Sequence, residues 1–305
     1  MVRRVLLLPA LLVVLSGVVV GCDSEVSHDS SEVRVVASTA LIAEFASVVA
    51  GDDVMVIRLI PPGVDLHSFE PAPAIAAAIA QADLILVNGH DLEESLLKVI
   101  EQNVSDGVGV VAVSDGIEVL LATGKHAGDD GEAHAGVDPH LWLDALNAVW
   151  YVKVIRDALI EVSPEHVVGY RERAAGYIAE LQSLHDELVA ELEAIPVEER
   201  RLVVFHDAYR YFAAAYGLEL LAVVLPAGAQ QDPSAGTVAS LIELVETSGV
   251  RVVFAEPQFN STVLDQIASE AGVGVRPLYS TFTGEVDNYI ELMRANAGSL
   301  SATQR

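Results

Sequence analysis

The sequence predicts an α/β fold of two lobes with mostly parallel sheets, joined by a long rigid α-helix. Three observations predict it. β-Branched runs alternate with helix-period stretches from residue 33 to 113 and again from 202 to 300. The stretch 142–194 between them has helical periodicity and no strand signal, and 305 residues suffice for two lobes of about 130 residues each.

In chain order, residues 33–37 are a β-branched run, and Ser38 and Thr39 can cap the apolar-periodic stretch 41–49 as a helix. Residues 54–60 read as a second strand, ended by Pro61-Pro62-Gly63. The cycle repeats with a helix over 73–80, a strand over 84–87, a helix over 92–100 and a strand over 108–113. Residues 142–162 are helical, and Ser163 followed by Pro164 predicts a restart running to about residue 194. After Ile195 and Pro196 come strands over 202–205, 220–224 and 250–255, and helices over 209–216, 235–247, 261–271 and 288–300. Both lobes are thus Rossmann-like, with helices on both faces of the sheet. The expected organisation is an export signal over 1–22, a tether over 23–32, a lobe over 33–141, a helical link over 142–196 and a second lobe over 197–305.

Arg3 and Arg4, followed by the apolar run 5–20, form an export signal too short for a membrane span. Its end, Val19-Val20-Gly21-Cys22, resembles the site at which bacterial lipoprotein precursors are lipidated and cleaved. Cys22 is the only cysteine, so no internal disulfide can form and the thiol is free for a lipid anchor. Without Arg3 and Arg4, 15 of the 17 basic residues remain against 44 acidic ones. A surface this acidic repels phosphate backbones and argues against a nucleic-acid partner.

Side chains suited to a transition metal occur in four separated segments, at His67, His140, His206 and Asp287. Three neutral imidazoles and a carboxylate match what tetrahedral zinc prefers. Each lies where a regular element ends, and in open α/β sheets the ligand crevice lies beyond the carboxyl ends of the strands. Two ligands per lobe would place the metal in the cleft.

The runs from Pro62 to Pro71 (PGVDLHSFEP), Asp138 to Asp144 (DPHLWLD) and Phe205 to Phe212 (FHDAYRYF), with Asp287-Asn288-Tyr289, resemble the metal-binding lipoproteins of bacterial ABC importers for zinc and manganese. Asn88-Gly89, Pro233-Ser234-Ala235 and Glu256-Pro257-Gln258 extend the likeness over nearly the whole mature chain. The resemblance implies two α/β lobes bridged by a stiff helix, with His67, His140, His206 and Asp287 as ligands. It also implies delivery of the metal to an ABC permease driven by its ATPase, by a lipid-anchored monomer outside the cytoplasmic membrane. Manganese members carry a glutamate where His206 stands, so zinc is the expected cargo and manganese or iron the alternative. Some zinc members have an acidic residue just before the first histidine; Leu66 stands here, which strengthens the case for Asp287.

Asp207 and Glu256 are candidates to hold imidazole N–H groups, and Tyr209 and Tyr211 are expected to pack. The glycine-rich stretch 124–136, with His126 and His134, is either a weak accessory metal loop, as in zinc members, or a plain solvated loop. His166 and His185 are expected on the helix surface. A zinc hydrolase is disfavoured because no His-Glu-x-x-His helix is present, and an adhesin because no repeats or aromatic-rich surface occur. The chain is therefore expected not to be an enzyme.

Overall fold

Short apolar strands buried on both faces can only form the middle of a covered sheet, and Leu84 to Val87 is buried at every position. In a computed structural model that describes residues 32–121, 136–225 and 233–302, two such sheets form. The described residues from Val33 onward belong to one compact unit. The export signal with Cys22, the tether up to residue 31, and His126 and His134 lie outside the described residues.

The first lobe comprises β1 (Arg34–Ala37), α1 (Ala40–Ala50), β2 (Met55–Arg58), α2 (Pro73–Ala80), β3 (Leu84–Val87), α3 (Glu94–Asn103) and β4 (Gly109–Ala112). Its strands are all parallel in the order β2-β1-β3-β4. Thr39 caps α1 by accepting from the Ile42 N–H at 3.2 Å, as its position before the apolar stretch predicts. Then come α4 (Ala145–Val162) and α5 (Val167–Glu193). Ser163 makes no side-chain cap to the backbone; a 3-10 turn at Pro164–His166 intervenes, and the Ser163 hydroxyl donates to Glu165 at 3.1 Å.

The second lobe comprises β5 (Arg201–His206), α6 (Arg210–Tyr216), β6 (Glu219–Leu225), α7 (Ala235–Ser248), β7 (Val252–Ala255), α8 (Thr262–Ala271), β8 (Gly274–Pro277) and α9 (Tyr289–Ser301). Its order, β6-β5-β7-β8, again all parallel, repeats the topology of the first sheet. The sequence reading has no counterpart to β8. Glycine alternating with valine and a closing proline carry little strand signal, and such a segment is tolerated only at a sheet edge, where β8 lies.

With 27 residues, α5 is about 40 Å long. Tyr170, Ala174, Tyr177, Leu181, Leu184, Leu188 and Leu192 recur at three- and four-residue spacing and bury one stripe. That stripe packs on α1 and α4 on one side and on α6 and α9 on the other, so one continuous core spans both lobes. Alternation along β5 sends Val203 and Phe205 into a second cluster with α7 and α8, and turns Val204 and His206 to the opposite face. His185 is half-buried rather than on the surface, packing its ring 5.6 Å from that of Tyr216.

Candidate metal centre

Each sheet changes direction between adjacent strands, β1 with β3 and β5 with β7, and chain leaving the carboxyl ends there lines a crevice. His67 lies on the loop between β2 and α2, His140 just before the 3-10 turn that leads into α4, and His206 is the last residue of β5. Their ring centroids form a nearly equilateral triangle with sides of 5.1, 5.3 and 5.0 Å. One ring nitrogen of each lies within 4.8 Å of the others, and His67 Nε2 is 3.1 Å from His140 Nε2. A tetrahedral zinc about 2.0–2.1 Å from two nitrogens sets them about 3.3 Å apart. The adjoining cavity of about 10 Å³, lined by Asp65, Gln258, Phe259, Ser280 and Thr281 among others, has room for a single small ion.

The two loop histidines are placed by the same local device. In Asp-x-His, the carboxylate accepts the backbone N–H two residues on: His67 N–H donates to Asp65 Oδ1 at 3.1 Å, and His140 N–H to Asp138 Oδ1 at 3.0 Å. Asp138 Oδ1 also lies 2.7 Å from His140 Nδ1. His206 is oriented by strand register. Val204 pairs with Phe254, so two residues further His206 comes beside Glu256, and its Nδ1 lies 3.1 Å from Glu256 Oε1. A carboxylate in its ionised form only accepts, so in the neutral form of either ring the proton sits on Nδ1 and Nε2 offers its lone pair to a cation.

Burial sets the protonation of the group. Desolvation, reinforced by the charges of His140 and His206, lowers His67 to about 3. Desolvation and then His206 lower His140 well below the ordinary histidine range. Desolvation acts downward on His206 as well, but the charge and hydrogen bond of Glu256 outweigh it and the net shift is upward. Two of the three imidazoles are therefore held neutral, the form that ligates.

The other expected site residues separate. Glu256 lies against His206 Nδ1. Asp207 does not: its buried carboxylate accepts from Arg210 Nη2 at 3.1 Å, and Asp138 orients the second imidazole instead. The Asp-x-His spacing, present at both loops, was the signal for Asp138. Asp287 is not brought to the histidines. It is exposed, in a separate cleft with Glu44, Arg58 and Phe282. Asn288 caps α9 by accepting from the Glu291 N–H at 2.9 Å, and Glu44 accepts the Tyr289 N–H at 2.9 Å, which fixes this segment against α1. Tyr211 packs as expected, and its hydroxyl also accepts from the Leu120 N–H at 2.9 Å and donates to the Asp138 carbonyl at 3.0 Å.

The family model described as zinc-uptake complex component A, periplasmic (ZnuA), matches residues 35–303. The chain belongs to this family. It is 30% identical over 293 residues to the manganese-binding lipoprotein MntA of Halalkalibacterium halodurans, covering 93% of this chain and 94% of that protein. It is 27% identical over 312 residues to the iron ABC transporter substrate-binding lipoprotein MtsA of Streptococcus pyogenes, covering 98% and 97%. The solved manganese-bound periplasmic metal-binding protein of Candidatus Liberibacter asiaticus superposes with a TM-score of 0.76 at 26% identity, covering 90% of this chain and all of that one. The ZnuA-like chain is thus the substrate-binding component of a metal ABC importer, working outside the cytoplasmic membrane with a permease and an ATPase. Family membership makes it a binding protein and not an enzyme. No helix among the described residues is long and apolar enough to cross a membrane.

Proposed function

We propose that this chain captures zinc and delivers it to the permease, with His67, His140 and His206 as ligands. The supporting observation is the donor set: three imidazole nitrogens within 4.8 Å of one another, with the nearest carboxylates Asp138 and Glu256 turned to the Nδ1 atoms. A site of nitrogen donors favours zinc over manganese, which prefers oxygen. The ion is cargo: entering the cavity, it replaces the close contact between His67 Nε2 and His140 Nε2 with a bond to each nitrogen, and binds His206 once that ring has given its second proton to solvent.

The lobes are held for this task by the segment 280–282. The Phe282 carbonyl accepts from the Gly63 N–H at 2.7 Å, on the loop of His67, and the Ser280 carbonyl accepts from Trp142 Nε1 at 2.8 Å, beside His140. With α5 bridging both cores, loading moves these loops rather than swinging the lobes. In the same proposal, Cys22 carries the lipid anchor, the protein acts as a monomer, residues 142–196 form the link between the lobes, and His126 and His134 give at most accessory binding.

A second reading, capture of manganese or iron, is favoured by the relatives that carry those metals in their names. Titration of the metal-stripped chain with zinc and manganese in competition separates the two. Tight one-to-one zinc binding, weakened at least about 100-fold by His67→Ala, supports the zinc reading. Manganese outcompeting zinc selects the second reading, and absence of binding by the unaltered chain overturns both.

A further inference from the structure

Three imidazoles leave a tetrahedral ion one position short. Asp287 lies in another cleft, and Asp65, although it lines the cavity, is not among the groups whose ligand atoms lie within 4.8 Å of one another. Ser280 also lines the cavity, but its hydroxyl donates to Glu256 Oε2. Gln258 remains. Its Nε2 donates to Glu256 Oε2 at 2.8 Å and to Ser280 Oγ at 3.0 Å, which fixes which way the carboxamide faces. Its Oε1 is buried and has no hydrogen-bond partner. Burying a carbonyl oxygen without a partner is unfavourable, and a cation bound within its reach removes that cost.

Glu256 therefore holds two groups with its two oxygens: His206 through Oε1 and Gln258 through Oε2. Both groups line the same ion-sized cavity. We propose that the Gln258 carboxamide oxygen is the fourth donor to the captured metal and sets how readily the site accepts an oxygen-preferring ion. The proposal rests on the reading of the three histidines as a metal site. It gives a nitrogen-rich set with one neutral oxygen, which retains zinc while leaving a foothold for manganese.

The test uses the full chain, metal-stripped, with Gln258→Glu and Gln258→Ala. A carboxylate in place of the carboxamide puts a harder, charged oxygen on the metal, so Gln258→Glu is expected to shift the manganese-to-zinc affinity ratio at least about tenfold toward manganese. If Gln258 serves only to position Glu256, the new charge faces Glu256 and weakens both metals alike, leaving the ratio unchanged. Cobalt(II) gives the second readout. Loss of the fourth protein donor in Gln258→Ala is expected to admit water and alter the visible ligand-field bands, whereas a purely structural loss lowers affinity at constant band shape. An unchanged ratio in Gln258→Glu with unchanged cobalt bands in Gln258→Ala overturns the role of Gln258 while leaving the three-histidine site standing. Failure of the unaltered chain to bind zinc, manganese or cobalt overturns the site itself.

Discussion

Asp138→Asn should make the metal-free protein more stable and a worse metal binder. Burial raises the Asp138 carboxyl from 3.8 to about 7, against the lowering effects of the His140 N–H and the charges of Arg210 and His206. A folded pKa above the unfolded one means that the folded state binds more protons between about pH 4 and 7, so this group's contribution to stability falls as pH rises through that window. At pH 8, keeping the carboxylate ionised costs the folded state about 4 kcal/mol, at ~1.36 kcal/mol per tenfold change. Asparagine removes that cost but leaves its NH2 where Asp138 Oδ2 has no partner, a penalty of about 1–3 kcal/mol. The net expectation at pH 8 is a gain of about 1–3 kcal/mol, or ~2–10 °C in Tm. At pH 4 the gain disappears, since the aspartate is then neutral too. Zinc affinity should fall about 10–100-fold, because the neutral amide no longer strengthens His140 as a ligand. Thermal melts of the metal-free proteins at pH 8 and pH 4, with a zinc competition titration at pH 8, decide it. A lower Tm at pH 8, or unchanged zinc affinity, refutes the reasoning.

Zinc affinity should fall about ten- to hundredfold per pH unit on acidification, from the proton that His206 takes up and, below about pH 7, the one that Asp138 takes up, while His67 and His140 are already neutral there. A competition titration across pH showing a slope of three or more protons would contradict this assignment. The contribution of His67 to the stability of the metal-free protein should fall as pH drops from about 6.5 toward 3, where the unfolded histidine takes up a proton that the folded one refuses; chemical denaturation across that range of the protein and of His67→Ala, whose stability difference should shrink on acidification, checks it. Asp287→Ala should leave zinc affinity within about twofold by calorimetry, since the residue is exposed in a separate cleft. Tyr211→Phe should cost about 1–3 kcal/mol by denaturant melts, because the Leu120 N–H loses its acceptor and the Asp138 carbonyl its donor.

The histidines were legible because each sits in a short motif at the end of a regular element, where crevices form. The same logic misplaced Asp287. Asp287-Asn288-Tyr289 carries two signals in one place, a metal-binding side chain and a helix cap, and the structure uses the second, with Asn288 capping α9. Nothing local tells these uses apart, since an acidic residue beside a capping asparagine suits a helix N-terminus as well as it suits a cation. Asp207 is occupied by Arg210 rather than by an imidazole for a related reason. It follows the last residue of β5, and its carboxylate is taken by Arg210, so adjacency to a histidine in sequence does not put a side chain on that imidazole.

Glu256 shows how such ambiguity resolves. It lies 50 residues from His206, and only the parallel pairing of β5 with β7, Val204 opposite Phe254, brings it to the imidazole. The sequence announced both strands but not their adjacency, since 2-1-3-4 and 1-2-3-4 orders produce the same alternation of strands and helices. A topology that inserts β5 between β6 and β7 sets His206 and Glu256 side by side at a switch point, and by the same geometry sets Gln258, two residues on, over the cavity. The three histidines were therefore readable one at a time, as was the Asp-x-His device at two of them, whereas the meeting of Glu256 with His206 depends on sheet order, a property of the whole lobe that no short motif encodes.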